Sequence, residues 1–222
     1  MTRDLGAMTW DEIDRPIVVV PVGSCEQHGP HLPLDTDTVI ATALARTLVG
    51  RRTDCVVAPP ITVTASGEHR GFPGTLSVGT EIMAGMVVEL ARSADWAAGV
   101  VFVNGHGGNV TAMHRATEVF EVEHRRVLVW WPRVPGGDPH AGHTETSIML
   151  ALAPDAVRLA AVQPGPIPTL DALVREGVRP LSPSGVLGDP TGADAETGRR
   201  ILDDLADQLS AAVDAWTASE PS

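Results

Sequence analysis

Short, strand-sized apolar runs alternate along this chain with longer segments of helical periodicity. This alternation limits the available folds more than any other feature. The strands are predicted at residues 17–22, 55–58, 100–103 and 127–131. The helices are predicted at residues 38–49, 80–96, 110–124, 145–152 and 194–217. Strands separated by helices of this length are typical of right-handed βαβ crossovers. The sequence therefore predicts an α/β protein, a three-layer α/β/α fold with a mostly parallel sheet.

The domain organisation is predicted to be simple. A length of 222 residues fits one domain, and no internal repeat, low-complexity segment or linker divides the sequence. Residues 155–190 are rich in proline and are predicted to be a loop over the sheet. Within them, Gly-Val-Leu-Gly-Asp-Pro at 185–190 is expected to be ordered against the functional site or a neighbouring subunit. We therefore expect a single domain over residues 1–222.

Composition excludes several classes of partner. The net charge of −12 argues against nucleic acid, whose binders depend on basic patches. No segment approaches the roughly 20 apolar residues of a membrane span, and the N-terminus lacks the apolar region of a signal peptide. The two cysteines form no Cys-x-x-Cys motif. We expect a cytoplasmic protein with no membrane or nucleic-acid partner.

The loop after the first predicted strand concentrates side chains that bind divalent metals. Residues 23–37 read Gly-Ser-Cys-Glu-Gln-His-Gly-Pro-His-Leu-Pro-Leu-Asp-Thr-Asp. Glu26 and His28 are two apart and point the same way in an extended segment, and Asp37 comes where a helix begins. Carboxylate oxygen and imidazole nitrogen suit zinc, iron or manganese. We interpret this loop as the first half of a metal site.

Further candidate ligands follow later strands. His106 comes after the third predicted strand, and His140 and Glu145 come after the fourth. In open parallel sheets, ligands bind outside the carboxyl ends of the strands. The sequence therefore predicts that these three side chains meet those of the first loop at one rim of the sheet.

Four motifs occur in order along the chain. They are the segment 23–37, Ser-Gly-Glu-His-Arg-Gly-Phe-Pro-Gly-Thr at 66–75, Asn-Gly-His-Gly-Gly-Asn at 104–109 and His-Ala-Gly-His-Thr-Glu-Thr-Ser at 140–147. Together they resemble the signature blocks of the creatininase family of metal-dependent amidohydrolases. The resemblance implies a creatininase-like fold, two divalent metal ions (iron and/or zinc, with manganese possible) and a homo-oligomer, commonly a hexamer.

The resemblance also implies a set of metal ligands. Glu26 and His106 would bind one ion and His28 the other, with Asp37 bridging the pair. In creatininase itself, a Glu two residues after the histidine of the third block completes the second metal site.

This chain departs from creatininase at that position, which is Gly108 here. We assign the missing ligand to Glu145, with His143 as the competing candidate. The departure argues against creatinine as the substrate.

The same resemblance and the positions of the loops predict a proton-transfer residue and residues that contact the substrate. His140 matches the family's histidine ahead of the Glu-Thr-Ser block and would carry a proton to the leaving amine, beside Glu145 in the catalytic site. Glu68 and His69 are expected to line the substrate pocket. Arg70 is expected to meet a substrate carboxylate such as a peptide C-terminus.

The longer agreement through residues 135–140 and 185–190 resembles the mycofactocin-system branch of the family. It implies a peptidase that cuts a modified ribosomal precursor peptide near its C-terminus, releasing a Val-Tyr-derived pyrrolidinone unit. One alternative is a family amidohydrolase that acts on a small cyclic amide or a formamide. Two others are a nucleotide-binding module, with a phosphate on the loop 104–109, and a closed structural metal site.

Overall fold

The computed structural model of the chain describes residues 3–219, and its centre is one parallel sheet. The strands are β1 (Ile17–Val22), β2 (Cys55–Val57), β3 (Gly99–Asn104) and β4 (Val127–Trp130). Their order across the sheet is β2-β1-β3-β4. The first three strands are buried along their length, as expected of apolar runs covered on both faces.

Seven α-helices surround this sheet in the described part of the chain. They are α1 (Thr36–Arg51), α2 (Thr80–Ser93), α3 (Val110–Val122), α4 (His143–Leu152), α5 (Leu170–Glu176), α6 (Val178–Leu181) and α7 (Ala195–Ala218). On one face, α1, α4 and α7 pack on the sheet, where Leu44 and Leu209 share a core with Val101. On the other face, α2 and α3 bury Met113 against Phe102. The predicted three-layer α/β/α fold is confirmed.

The prediction that residues 155–190 are a loop was wrong where α5 and α6 form. Thr169 caps α5, since its Oγ1 accepts a hydrogen bond from the backbone N–H of Ala172. Pro180 lies in the first turn of α6, where a missing N–H costs nothing. The density of prolines concealed both helix starts.

The expectation that residues 185–190 are ordered against the functional site is confirmed. Leu187 and His140 form an antiparallel bridge, in which the Leu187 N–H donates to the His140 carbonyl (2.9 Å) and the His140 N–H donates to the Leu187 carbonyl (3.2 Å). The segment therefore holds the His140 loop over the carboxyl ends of the strands. Within residues 3–219, no helix combines the length and apolar character needed to cross a bilayer.

Candidate metal centre

Glu26 lies fully buried in the loop after β1, and its carboxylate has the surroundings of a metal ligand. Neither oxygen makes a hydrogen bond with any residue in the described range 3–219. The nearest imidazole nitrogens are His106 Nε2, 3.1 Å from Oε2, and His69 Nε2, 3.2 Å from Oε1. A buried carboxylate is costly unless it is paired or coordinates a metal, so Glu26 fits a cation.

Asp37 lies in the first turn of α1, between two imidazoles. Its Oδ1 is 3.1 Å from His28 Nε2, and its Oδ2 is 3.2 Å from His106 Nδ1. Ser24 Oγ also donates a hydrogen bond to Oδ2 (2.8 Å). The helix N-terminus favours the negative charge. Asp37 is therefore placed to face two cations at once.

The other nitrogen of each imidazole is held by a backbone carbonyl. His28 Nδ1 lies 3.1 Å from the Glu26 carbonyl, and His106 Nε2 lies 3.0 Å from the Ala65 carbonyl. A carbonyl can only accept, so these nitrogens carry the protons and donate. His28 Nε2 and His106 Nδ1 face Asp37, and they are the nitrogens that a metal ion would bind by displacing a proton.

Four sets of three ligand atoms that lie within 4.8 Å of one another are found among residues 3–219, and two of these sets have Asp37 in common. The first set is Glu26, Asp37 and His106, and the second is His28, Asp37 and Glu145. Glu145 enters from the first turn of α4, with its Oε2 4.0 Å from His28 Nε2. The structure thus brings together all five residues predicted as metal ligands.

Burial and neighbouring charges shift the pKa values of the five candidate ligands in different directions. Burial opposes charging of both imidazoles, but the Asp37 carboxylate raises the pKa of His28 to about 10, and that of Glu26 raises the pKa of His106 to about 10. Burial raises the pKa of Glu26 to about 8 and that of Glu145 to about 7. Burial acts likewise on Asp37, yet the imidazoles hold its pKa well below its usual range. The carboxylates therefore attract positive charge, for which a metal ion competes with protons.

His140 lies beside the carboxylate of Glu26 and the rings of two other histidines. Its ring centre is 4.3 Å from that of His28 and 4.4 Å from that of His69, and its Nδ1 is 3.8 Å from Glu26 Oε1. Burial lowers the pKa of His140 well below its ordinary value, so the ring is neutral. A neutral imidazole beside the ligands can accept and return a proton.

The structure places two of the three predicted substrate-binding residues next to the candidate ligands and the third outside every ligand set. Glu68, which is half-buried, and His69, which is buried, lie in a 3-10 turn, Gly67–His69, next to the cluster. They form a further set of close ligand atoms with Glu26. Arg70 is exposed and belongs to none of the four sets found among residues 3–219. Its contact with a substrate carboxylate stays a prediction.

Gly108, where this chain was predicted to depart from the family pattern, has no room for a side chain. A Cβ built there would lie 2.0 Å from Glu68 Oε1, 2.4 Å from His106 Nε2 and 2.5 Å from the Ala65 carbonyl oxygen. Glu68 therefore fills the space that a side chain at this position would use.

We expect Gly108→Ala to disturb the centre. The added methyl group must displace Glu68, His106 and the Ala65 carbonyl, which should lower metal content and destabilise the fold by about 1–3 kcal/mol, as overpacking does. Metal analysis and thermal unfolding measure the two effects. Gly107→Ala is the matched control, because a Cβ there meets nothing within 4 Å. Equal behaviour of the two variants would contradict the packing argument.

Sequence reasoning missed Gln27, which is buried and lies 2.8 Å from His69 Nδ1 through its Nε2. In a regular extended segment, Gln27 would point away from its neighbours Glu26 and His28. The chain turns instead at Gly29, whose φ is 66°. The one available signal was that glycine, which permits such a turn.

Comparisons with known proteins agree with this geometry. The family model for creatinine amidohydrolase, the creatininase family, matches residues 6–213. The mycofactocin precursor peptide peptidase of Mycobacterium tuberculosis (strain H37Rv) is 48% identical, with 96% of this chain and 91% of that protein covered. The creatinine amidohydrolase of Pseudomonas putida is 29% identical, with 90% and 91% covered.

The solved structure "Creatininase Mn" superposes with a TM-score of 0.80 at 25% identity, covering 99% of this chain and 100% of that one. Its likeness extends over both faces of the sheet, and the family match includes every residue of the candidate centre. The chain therefore belongs to the creatininase family.

Proposed function

We propose that this protein is a metal-dependent peptidase that hydrolyses an amide bond of the modified mycofactocin precursor peptide near its C-terminus. The released piece would be the Val-Tyr-derived pyrrolidinone unit. The reaction class rests on one observation, the two ligand sets that share Asp37. The substrate rests on relatives named mycofactocin precursor peptide peptidase, which are 46–48% identical over 90–96% of this chain.

The donor set fits two divalent ions. Every candidate ligand offers oxygen or imidazole nitrogen, which suits iron, zinc or manganese. Three carboxylates, those of Glu26, Asp37 and Glu145, would offset most of the charge of two such ions. When bound, ions of this kind polarise a carbonyl and lower the pKa of a water molecule to about 7.

The chain's own residues supply the remaining chemistry. Glu68, about one-third exposed, and the buried His69 lie beside the centre, where they would contact the peptide. His140 has a neutral ring beside Glu26. In this position the ring would carry a proton to the leaving amine. The loop 185–190, bridged to His140 through Leu187, would keep that ring in place.

We expect Glu145→Gln to remove one metal ion of two. Glu145 belongs to one of the two ligand sets, whereas Asp37 belongs to both. Metal analysis of the purified protein should fall from about two ions per chain to about one, with activity lost. Glu121→Gln, an exposed change on α3, is the control. Unchanged stoichiometry would mean that another residue, such as His143, completes the second site.

The test of the proposed function is mass spectrometry of the metal-loaded protein incubated with enzymatically modified mycofactocin precursor, with and without chelator. Release of a small C-terminal fragment that chelator abolishes is the expected result. An intact precursor, with both metals confirmed bound, would overturn the peptidase and direct attention to small cyclic amides and formamides.

We propose further that residues 1–222 act as one domain and that the protein is a cytoplasmic homo-oligomer, a hexamer by family resemblance. The acidic surface, with a net charge of −12, disfavours nucleic acid as a partner. A nucleotide phosphate at the loop 104–109 is also disfavoured, because His106 lies against Glu26 and Asp37.

A further inference from the structure

The Gln27 side chain lies between two histidines of the centre, and backbone groups fix the orientation of its amide. Its Oε1 accepts from the Gly29 N–H (2.9 Å), and its Nε2 donates to the Gly185 carbonyl (3.1 Å). A backbone N–H only donates and a carbonyl only accepts. If the amide were reversed, two donors would meet at Gly29 and two acceptors would meet at Gly185. Only one orientation of the amide therefore satisfies both contacts.

The second hydrogen of the Gln27 amide is directed at His69. Gln27 Nε2 lies 2.8 Å from His69 Nδ1, which must therefore accept. Because Nδ1 accepts this hydrogen bond it carries no proton, so the ring's one proton is on Nε2. That N–H lies 3.2 Å from Glu26 Oε1. His69 thus presents a hydrogen-bond donor to the centre.

The main chain of Gln27 acts on the other ring, His140. His140 Nε2 lies 2.7 Å from the Gln27 carbonyl oxygen and must donate to it. The Gln27 side-chain nitrogen is 3.0 Å from the same Nε2, but its two hydrogens are already directed elsewhere, so this is a contact between two N–H groups. His140 Nδ1 is left unprotonated and faces Glu26. His140 thus presents an acceptor to the centre.

We infer that Gln27 is a positioning residue that sets the tautomers of His69 and His140, the first through its side chain and the second through its carbonyl. The centre then receives one donor and one acceptor on rings that would otherwise be interchangeable. The donor suits an oxygen that is negative or becoming so, and the acceptor suits proton transfer. Gly185 makes room for this amide, because a Cβ there would lie 1.7 Å from Gln27 Oε1.

The tautomers themselves do not depend on the proposed function, although their catalytic consequence does. They can be read without substrate from long-range ¹H–¹⁵N spectra of the zinc-loaded protein labelled at histidine. Resonances are assigned by their loss in single His→Asn variants. In the wild type, His69 and His140 should both carry the proton on Nε2.

Two variants separate the side chain from the main chain. In Gln27→Glu the introduced group has no N–H to give, so the His69 proton should move to Nδ1. In Gln27→Met the amide is gone, and His69 should show both tautomers. His140 should keep its tautomer in both variants, since position 27 still offers a carbonyl. With peptide substrate, kcat should fall about 10- to 100-fold, the size of loss that follows removal of a hydrogen-bond partner that orients an active-site histidine, with KM little changed.

The control is the same pair of substitutions at Gln208, whose side chain donates to the exposed Arg133 carbonyl (3.1 Å). These variants should match the wild type in spectra and kinetics. A wild-type His69 protonated on Nδ1 would overturn the inference, as would a His69 tautomer unchanged in both Gln27 variants. If Gln27→Glu fails to fold, Gln27→Met decides the question alone.

Discussion

Asp37→Asn should empty the centre of both metal ions and abolish hydrolysis. Asp37 is the one side chain shared by the two ligand sets, and its oxygens face His28 Nε2 and His106 Nδ1 on opposite sides. An amide supplies one neutral oxygen and turns an N–H toward one of these nitrogens. Metal analysis should find little of either ion. Activity should fall by more than the 10- to 100-fold that is lost when a residue that hydrogen-bonds to a metal ligand is removed.

Asp35→Asn is the matched control for this change. Asp35 is exposed at the N-cap of α1, two residues away, and its side chain makes no capping hydrogen bond. It should keep both ions and full activity. Retention of one ion in Asp37→Asn would show that the two sites are separate and would contradict a bridging role.

His140→Ala should have the opposite signature, with metals kept and turnover lost. His140 faces the carboxylate of Glu26 but is neutral and held by the Gln27 carbonyl rather than by the ligand carboxylates. Its loss should reduce kcat by about 10²–10⁴-fold, the usual contribution of a proton-transfer group. Stopped assays with the modified precursor measure kcat, and metal analysis of the same sample measures occupancy.

His114→Ala controls for the loss of an imidazole. His114 is exposed on α3, edge-on to Trp131 with ring centres 6.0 Å apart, and should tolerate the change. Normal turnover in His140→Ala would end the proton-transfer role. Loss of an ion would instead make His140 a ligand, consistent with the set it forms with Glu26 and His28.

The sheet, the five main helices and the clustering of the candidate ligand side chains could be predicted from the sequence because each depends on a local pattern or on topology. The parallel order of the strands alone brings Glu26, His106 and Glu145 to one rim, although they are far apart in sequence. What could not be predicted depends on the path of loops. The short helices α5 and α6 and the inward turn of Gln27 are set by caps and by glycine conformation that periodicity does not report.

Gly108 shows a second limit of sequence reasoning. The sequence shows that a carboxylate is missing at that position, but only the structure shows Glu68 occupying the space. Which side chain packs against a glycine depends on how two loops approach each other, and no spacing along the chain contains that information.

The candidate ligands are spread along the chain, which would link metal occupancy to thermal stability. The cluster needs the loop after β1, the starts of α1 and α4 and the loop after β3 in place together, so a partly unfolded chain cannot assemble it. Ions that bind only the native state stabilise it by about 2.7 kcal/mol at a free concentration one hundred times the Kd. Each ion would therefore stabilise the whole sheet. Chelation should lower the melting temperature of the entire protein rather than unfold one loop.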